Sequence, residues 1–214
     1  MKIAILGPPG SGKGTHTFRI AEKYDLKHIV VGDAVKQEIR KGTELGKIMF
    51  EYTNQGKFVP VEIVMQLLKE QVEDLRGYNG FIIDTAPINM EQYYAMKNIT
   101  LDVVISLNIN NFDVVRGRIL KRLICPNCKH VTSIDEAPDR ICGNCGSQLE
   151  KRYDDNIETI NIRINRYKNE TVPVLENYRN QGILIDINAE NSKEVVFEEI
   201  CTKLDDFFQK KSLN

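Results

Sequence analysis

The sequence predicts an α/β protein built on a parallel sheet covered by helices on both faces. Three observations carry that expectation. Short apolar clusters at 3–6, 28–31, 81–83, 103–107 and 183–187 alternate with stretches of helical periodicity such as 61–75 and 157–178. The first cluster runs into a glycine-rich turn, after which Phe18, Ala21 and Tyr24 recur at helical spacing. The composition, 42% hydrophobic and 28% charged over 214 residues, is that of an ordinary soluble globular chain able to bury a good core.

The first element is a buried strand that feeds the turn Gly7-Pro-Pro-Gly-Ser-Gly-Lys-Gly-Thr15. Gly7, Gly12 and Lys13 meet the phosphate-loop pattern G-x-x-x-x-G-K, and strand, turn and helix are the context that pattern requires. Glycines let consecutive backbone N–H groups converge on an anion, helped by the positive end of the helix that follows. Lys13 adds a point charge at the β- and γ-phosphates. The bland alternative is a glycine-rich turn with no ligand. The general motif places Ser or Thr directly after the lysine, to hold Mg²⁺; here Gly14 intervenes and Thr15 follows.

Two segments interrupt the alternation. The first, 32–60, carries Gly42, Gly46, Gly56, Pro60 and several charges. The second, about 124–153, holds two cysteine pairs and little helical or strand signal. Neither is large enough for a core like that of the main sheet. Both are expected to stand over the C-terminal edge of the sheet, where ligands of such folds bind. Asp84 closes the apolar run Gly80-Phe-Ile-Ile-Asp84; a carboxylate there suits Mg²⁺, directly or through water, or else caps the next helix.

Cys125-Pro-Asn-Cys128 and Cys142-Gly-Asn-Cys145 are two C-x-x-C knuckles separated by 13 residues. Two such pairs place four thiolates around one tetrahedral Zn²⁺, with Zn–S near about 2.3 Å. Two disulfides or four idle thiols are the alternatives. A four-cysteine site with no open position is structural, and it would stiffen an insertion lacking its own apolar core. Cys201 lies on an apolar helical stripe with Val196, Phe197 and Leu204 and reads as core.

A zinc ribbon could also bind nucleic acid. From Lys121 to Arg152, six basic residues stand against four acidic ones, a weak electrostatic footprint, and the whole chain carries a formal charge of −1. No nucleic acid partner is expected. No apolar run approaches the roughly 20 residues that span a bilayer, and the first residues lack a signal-peptide core. A cytosolic protein with no membrane partner is expected, and in that compartment five cysteines argue for metal or buried thiols before disulfides. The polar end, 210–214, is expected to fray.

Arg118 and Arg122 share a helix face just before the cysteine segment, and Arg152 and Arg163 follow it with Asp154 and Asp155. A solvated charged face is the plain reading. Phosphoryl transfer, though, needs several fixed cations around the transferred group, and Lys13 alone would be a poor set.

At this point the residues resemble a family, the adenylate kinases among the nucleoside monophosphate kinases, in their zinc-lid form. The resemblance covers almost the whole chain. The loop matches with its Gly14 included, as do Val31-Gly32-Asp33, Lys41-Gly-Thr-Glu-Leu-Gly46, Gly56-Lys-Phe-Val-Pro60, Arg118-Ile-Leu-Lys-Arg122, the cysteine pairs and Arg152-Tyr-Asp-Asp155.

The resemblance implies a P-loop nucleoside triphosphate fold: a five-stranded parallel sheet with helices on both faces, an acceptor-binding insertion and a zinc-ribbon lid. The implied division is a core of 1–31, 61–123 and 154–214, an acceptor insertion at 32–60 and a lid at 124–153. The implied reaction is reversible phosphoryl transfer from MgATP to AMP, giving two ADP, by a monomer.

Lys13, Asp84, Arg122, Arg152 and Arg163 would form the catalytic set. Gly10, Ser11, Gly12, Lys13, Gly14, Thr15, Arg118, Arg122, Val131, Thr132 and Ala189 would hold the donor, with Arg118 stacked on its adenine. Val31, Lys36, Lys57, Phe58, Val59, Thr85, Ile88, Gln92, Arg152 and Arg163 would meet the acceptor, Gln92 through its amide. Both insertions would close on substrate and exclude water.

The resemblance fails on the acceptor side. The family's D-G-F-P-R appears as Asp84-Thr85-Ala86-Pro87-Ile88, so the position of the acceptor-phosphate arginine holds an uncharged side chain. The arginine three residues beyond the aspartate of T-G-D is Lys36, its threonine is Val31, and the glutamine after the loop threonine is His16. Losing one buried cation from a phosphate site costs on the order of 2–5 kcal/mol, roughly 30- to several-thousand-fold. Lys36, Arg40 or Lys57 could compensate. The alternatives are therefore a kinase for another nucleoside monophosphate, or a nucleotide-binding protein whose transfer is weak or lost. A nucleic-acid-binding zinc protein with an ATPase motor is a more distant one.

Overall fold

The structure is a computed structural model that describes residues 1–54, 59–152 and 154–212. Among these residues the strands are β1 (Lys2–Leu6), β2 (Lys27–Val30), β3 (Phe81–Asp84), β4 (Val103–Asn108), β5 (Arg122–Ile124), β6 (Val131–Ser133) and β7 (Leu184–Asn188). The helices are α1 (Lys13–Tyr24), α2 (Val31–Lys41), α3 (Glu44–Asn54), α4 (Val61–Glu73), α5 (Met90–Ala95), α6 (Phe112–Lys121), α7 (Ile157–Arg166), α8 (Val172–Asn180) and α9 (Lys193–Ser212).

Five strands form one sheet in the order β2-β3-β1-β4-β7, every pair parallel. All five apolar clusters of the sequence are therefore strands of one sheet, within a residue or two of their expected ends. Strand residues point alternately to the two faces. Ile3 and Ile5 enter a core with Ile20 of α1, Val115 and Ile119 of α6, Ile160 of α7 and Ile200 of α9. Ala4 and Leu6 face the other way, toward Val174, Leu175 and Tyr178 of α8. Phe81 and Ile83 join that second face against Val64, Met65 and Leu68 of α4. Because both faces are covered, the strands are apolar along their length.

The two interruptions are structured. Residues 32–60 contain most of α2 and the whole of α3, packed through Val35 and Met49 onto Leu67 of α4. Helix α2 starts at Val31, so β2 ends at Val30 and the first interruption leaves the sheet with no loop between. The second interruption opens on an antiparallel ribbon of β5 and β6, with bridges from Ile124 to Glu150 and Ile141 to Gln148. Contrary to the expectation of no apolar core, Leu123 and Leu149 are buried there with Cys125 and Cys142.

Two further expectations are corrected. The helical stretch 157–178 is not one helix: a π-helical turn, Tyr167–Thr171, separates α7 from α8. Pro173 has no N–H to continue the i→i−4 ladder, and Val172 N–H instead reaches back to the Tyr167 carbonyl. The tail is helical to Ser212, with 213 and 214 outside the described residues: the last turn of α9 carries Lys210 and Lys211, and Lys211 Nζ donates to Asp102 Oδ1 at 2.7 Å. Among the described residues no helix is long and apolar enough to cross a membrane.

Candidate active site

The crevice lies at the C-terminal ends of the strands, where β1 has β3 on one side and β4 on the other. The turn from β1 to α1 fits only with glycine at two positions. Gly7 has φ +155°, and a Cβ there would stand 2.7 Å from the Leu107 carbonyl oxygen of β4. Gly12 has φ +89° and caps α1 in the left-handed region, which L side chains rarely adopt. The loop so held carries Gly10, Ser11, Gly14 and Thr15 across the start of α1.

Lys13 Nζ donates to the Gly7 and Pro8 carbonyls, both at 2.8 Å. Burial lowers its pKa to about 8; Asp84 opposes the shift, and Arg122 and Arg163 add to it. Charged groups from three other segments thus act on this one lysine. Asp84 is 8% exposed at the end of β3. Its Oδ1 accepts from Thr85 Oγ1 at 2.6 Å, and a Cβ on Gly14 would lie 3.5 Å from its Oδ2. Asn89 caps the next helix by accepting from Gln92 N–H. Asp84 is thereby free of the capping role that the sequence left open, and it faces the loop.

The arginines converge from three elements. Arg122 starts β5 and donates to Asp155, Nε to Oδ2 at 2.8 Å and Nη2 to Oδ1 at 2.5 Å. Arg163 of α7 pairs with Asp154 and stands 3.8 Å from Asp155. Arg152 Nε is 3.4 Å from Asp154 Oδ1. The Asp155 side chain is 1% exposed, so a buried carboxylate fixes the guanidinium groups that surround it. Burial raises the Asp154 pKa, but Arg152 and Arg163 outweigh it and hold the carboxyl below the usual range. The sequence reading passed over these two aspartates as site residues, although they stand directly after Arg152 in the chain.

Arg118, four residues before Arg122, donates from Nη1 to the Ala189 carbonyl at 2.7 Å and from Nη2 toward the Glu190 and Asn191 carbonyls. Two residues expected on the donor side are therefore in direct contact. Val131 is 40% exposed, and Thr132 Oγ1 donates to Glu136 Oε2 at 2.7 Å. Glu136 in turn accepts from Lys193 Nζ at 2.6 Å, which joins the cysteine segment to the start of α9.

The acceptor side is less convergent. Val31 and Val59 pack against the α4 side of the core. Thr85 has φ +65° and its N–H donates to the Ile5 carbonyl. Ile88 N–H donates to Gln92 Oε1 at 3.0 Å, and its carbonyl accepts from Thr171 Oγ1 at 2.8 Å. Part of the Gln92 amide is thus spent on the turn that carries Ile88. Lys36 is exposed and pairs with Asp33 at 3.2 Å, and Arg40 is exposed too. Lys57 and Phe58 lie outside the described residues, as do Gly56 and Tyr153.

The four cysteines 125, 128, 142 and 145 form one cluster, all sulfurs within 4.8 Å of one another. Cys125 and Cys145 sulfurs are 3.5 Å apart, and those of Cys128 and Cys142 are 3.6 Å apart. Such separations are far beyond a disulfide bond of about 2.05 Å. They are close to the roughly 3.8 Å edge of a tetrahedron with Zn–S near 2.3 Å. Cys128 N–H also donates to Cys125 Sγ, 3.4 Å away. The donor set fits a metal ion.

A family model described as "Adenylate kinase" matches residues 5–183. Curated proteins named "Adenylate kinase" align over nearly the whole chain. That of Thermoanaerobacter sp. (strain X514) is 35% identical over 215 residues, covering 96% of this chain and 99% of the relative. That of Archaeoglobus fulgidus is 38% identical, covering 94% and 96%. That of Methanosarcina barkeri is 34% identical, covering 97% and 100%.

Proposed function

The chain belongs to the adenylate kinase family and is a nucleoside monophosphate kinase, and we propose how its residues transfer a phosphoryl group between MgATP and AMP, giving two ADP. One observation supports this reading above the others. Asp84, Arg122 and Arg163, from three separate segments, all act on Lys13 of the loop. The relatives give no support to a different monophosphate or to a binder without transfer.

Transfer of the γ-phosphoryl group spreads charge over its equatorial oxygens and needs little covalent chemistry from the protein. Gly10 to Thr15 hold the donor phosphates by backbone N–H groups, and Lys13 turns from the Gly7 and Pro8 carbonyls to the β- and γ-oxygens. Arg122, Arg152 and Arg163 face the group in transit, preorganised by Asp154 and Asp155, so no reorganisation is needed when charge develops. Arg118 and Ala189 flank the donor adenine, and Val131 and Thr132 approach it from the cysteine segment.

On the acceptor side, Val31, Lys36, Lys57, Phe58, Val59, Thr85, Ile88 and Gln92 line the AMP site, shared at its phosphate by Arg152 and Arg163. Mg²⁺ arriving with ATP would offset the charge of the phosphates, and Asp84 is the carboxylate that would hold it, directly or through water.

The division follows these roles: a core of 1–31, 61–123 and 154–214, an AMP-binding insertion at 32–60, and a lid at 124–153. The cysteine site holds structural Zn²⁺, because four thiolates leave no open position. The enzyme works as a cytoplasmic monomer with no nucleic acid or membrane partner. ADP formation from MgATP and AMP tests the reading, with GMP, CMP, UMP and dAMP alongside. Nucleotide binding without ADP formation would sink it.

A further inference from the structure

The phosphate loop is followed immediately by a histidine whose ring has unused hydrogen-bonding capacity. His16 is 3% exposed, and its Nδ1 is buried without a hydrogen-bond partner. The Cδ2–Nε2 edge of the ring lies against the loop: a Cβ on Gly12 would stand 3.1 Å from His16 Cδ2 and 3.3 Å from Nε2. The ring also stacks on Phe197 of α9, with centroids 6.5 Å and planes 12° apart. Phe197 carries the Arg19 guanidinium over its own face, 3.9 Å from the centroid.

The tautomer follows from these surroundings. A neutral imidazole has one N–H and one bare nitrogen. An orphaned buried donor is rarer and costlier than an orphaned acceptor. The sealed Nδ1 is therefore the bare nitrogen, and the proton sits on Nε2, the ring atom on the Gly12 side. The Nε2 side of the ring, and not the sealed Nδ1, is the one beside the phosphate loop.

The charges that act on this ring come from three elements: Arg19 on α1, Arg118 on α6, and Lys193 with Glu194 at the start of α9. Three cations against one anion, together with burial, lower the His16 pKa to about 4, so the ring is uncharged at neutral pH. An uncharged donor in a cationic setting, beside a phosphate loop, suits an anionic ligand.

We propose that His16 is a binding residue for the donor nucleotide, its Nε2–H donating a hydrogen bond to the nucleoside triphosphate between the phosphates on the loop and the base flanked by Arg118 and Ala189. The inference rests on the donor-site reading given above. It adds a contact at the position where this chain departs from the family's glutamine, and it explains why a polar ring is tolerated in a sealed position.

The test is calorimetric titration of ATP into the full-length, zinc-loaded chain, comparing wild type with His16→Leu and His16→Gln. A lost hydrogen bond of this kind weakens binding about tenfold. His16→Leu is expected to lose that factor for ATP, with KM for AMP and the melting temperature of the nucleotide-free protein little changed. His16→Gln, whose amide supplies an N–H at similar reach, is expected to recover most of it. Nitrogen-15 spectra of wild type, which need no variant to fold, should show the Nε2–H tautomer and a shift of that nitrogen on adding ATP.

The proposal is overturned if His16→Leu binds ATP like wild type. It is equally overturned if Leu and Gln lose affinity alike and in step with melting temperature, or if saturating ATP leaves the His16 nitrogens unmoved. Failure of wild type to bind ATP would instead overturn the donor site itself, a result distinct from the other three.

Discussion

Arg122 and Asp155, 33 residues apart in the chain, are joined by two parallel hydrogen bonds on either side of the cysteine segment. The carboxylate is almost wholly buried, and the guanidinium is presented by it as a planar fork. A point charge on a flexible stem does not reproduce that geometry. Arg122→Lys should therefore lower kcat about 100-fold while KM for ATP changes little. Steady-state kinetics decides the matter, since a wild-type kcat would remove Arg122 from the transferring phosphoryl group. Asp155→Ala, which strands a buried guanidinium, should destabilise the fold by about 3–5 kcal/mol in denaturant unfolding.

Lys13 gives a pH dependence. Its pKa is lowered to about 8 by burial, so the free enzyme loses this cation as pH rises through that value. The plot of kcat/KM for ATP against pH, which reports groups of the free enzyme, should turn down near pH 8 and approach a tenfold loss per unit above it. The stability term has the opposite sense. Between about 8 and 10.5 the unfolded chain holds more protons than the folded one, so this lysine's contribution to stability rises with pH. Lys13→Met should abolish both effects; a downturn that survives it belongs to another group.

Ile88 occupies the position of an arginine in the family pattern, on a turn whose backbone is already held by Gln92 and Thr171. A new side chain can project from that turn without moving it. Ile88→Arg is expected to lower KM for AMP at least about tenfold, consistent with 2–5 kcal/mol for a phosphate-binding cation, and to leave KM for ATP unchanged. If AMP kinetics are the same in wild type and variant, the acceptor phosphate is already fully held by other residues.

The cysteine cluster should yield one zinc per chain on elemental analysis of freshly purified protein. Metal binding stabilises the fold, because the unfolded chain has no formed site. Chelation is expected to lower the melting temperature, and Cys142→Ser to do the same with loss of zinc. Two disulfides and no metal by mass spectrometry would contradict the assignment.

How much of this was legible in the chain differs from element to element. The five strands were visible because parallel strands buried on both faces are continuous apolar runs. The phosphate loop and cysteine pairs were visible because each is a short local pattern whose chemistry requires fixed spacing. Helices α2 and α3 were not read from their glycine- and charge-rich segment, since among its described residues only Val35 and Met49 are buried apolar ones. The break between α7 and α8 was missed for another reason: the apolar period runs on through it, and only Pro173 signals the π turn.

By itself, then, the sequence determined what local order can encode: a sheet of five buried strands, an anion-binding turn, a metal-binding ligand set and a group of candidate cations. Tertiary structure decided which of those cations act together. Asp154 and Asp155 gather Arg122, Arg152 and Arg163 from both sides of the cysteine segment, whereas Lys36 is spent on Asp33 at the surface. The same closure buries His16 Nδ1 without a partner and sets Nε2 beside Gly12. Spacing in the chain fixes neighbours only within a turn or a strand, while Coulomb and hydrogen-bond energies depend on distance in space, which only the packed sheet and helices set.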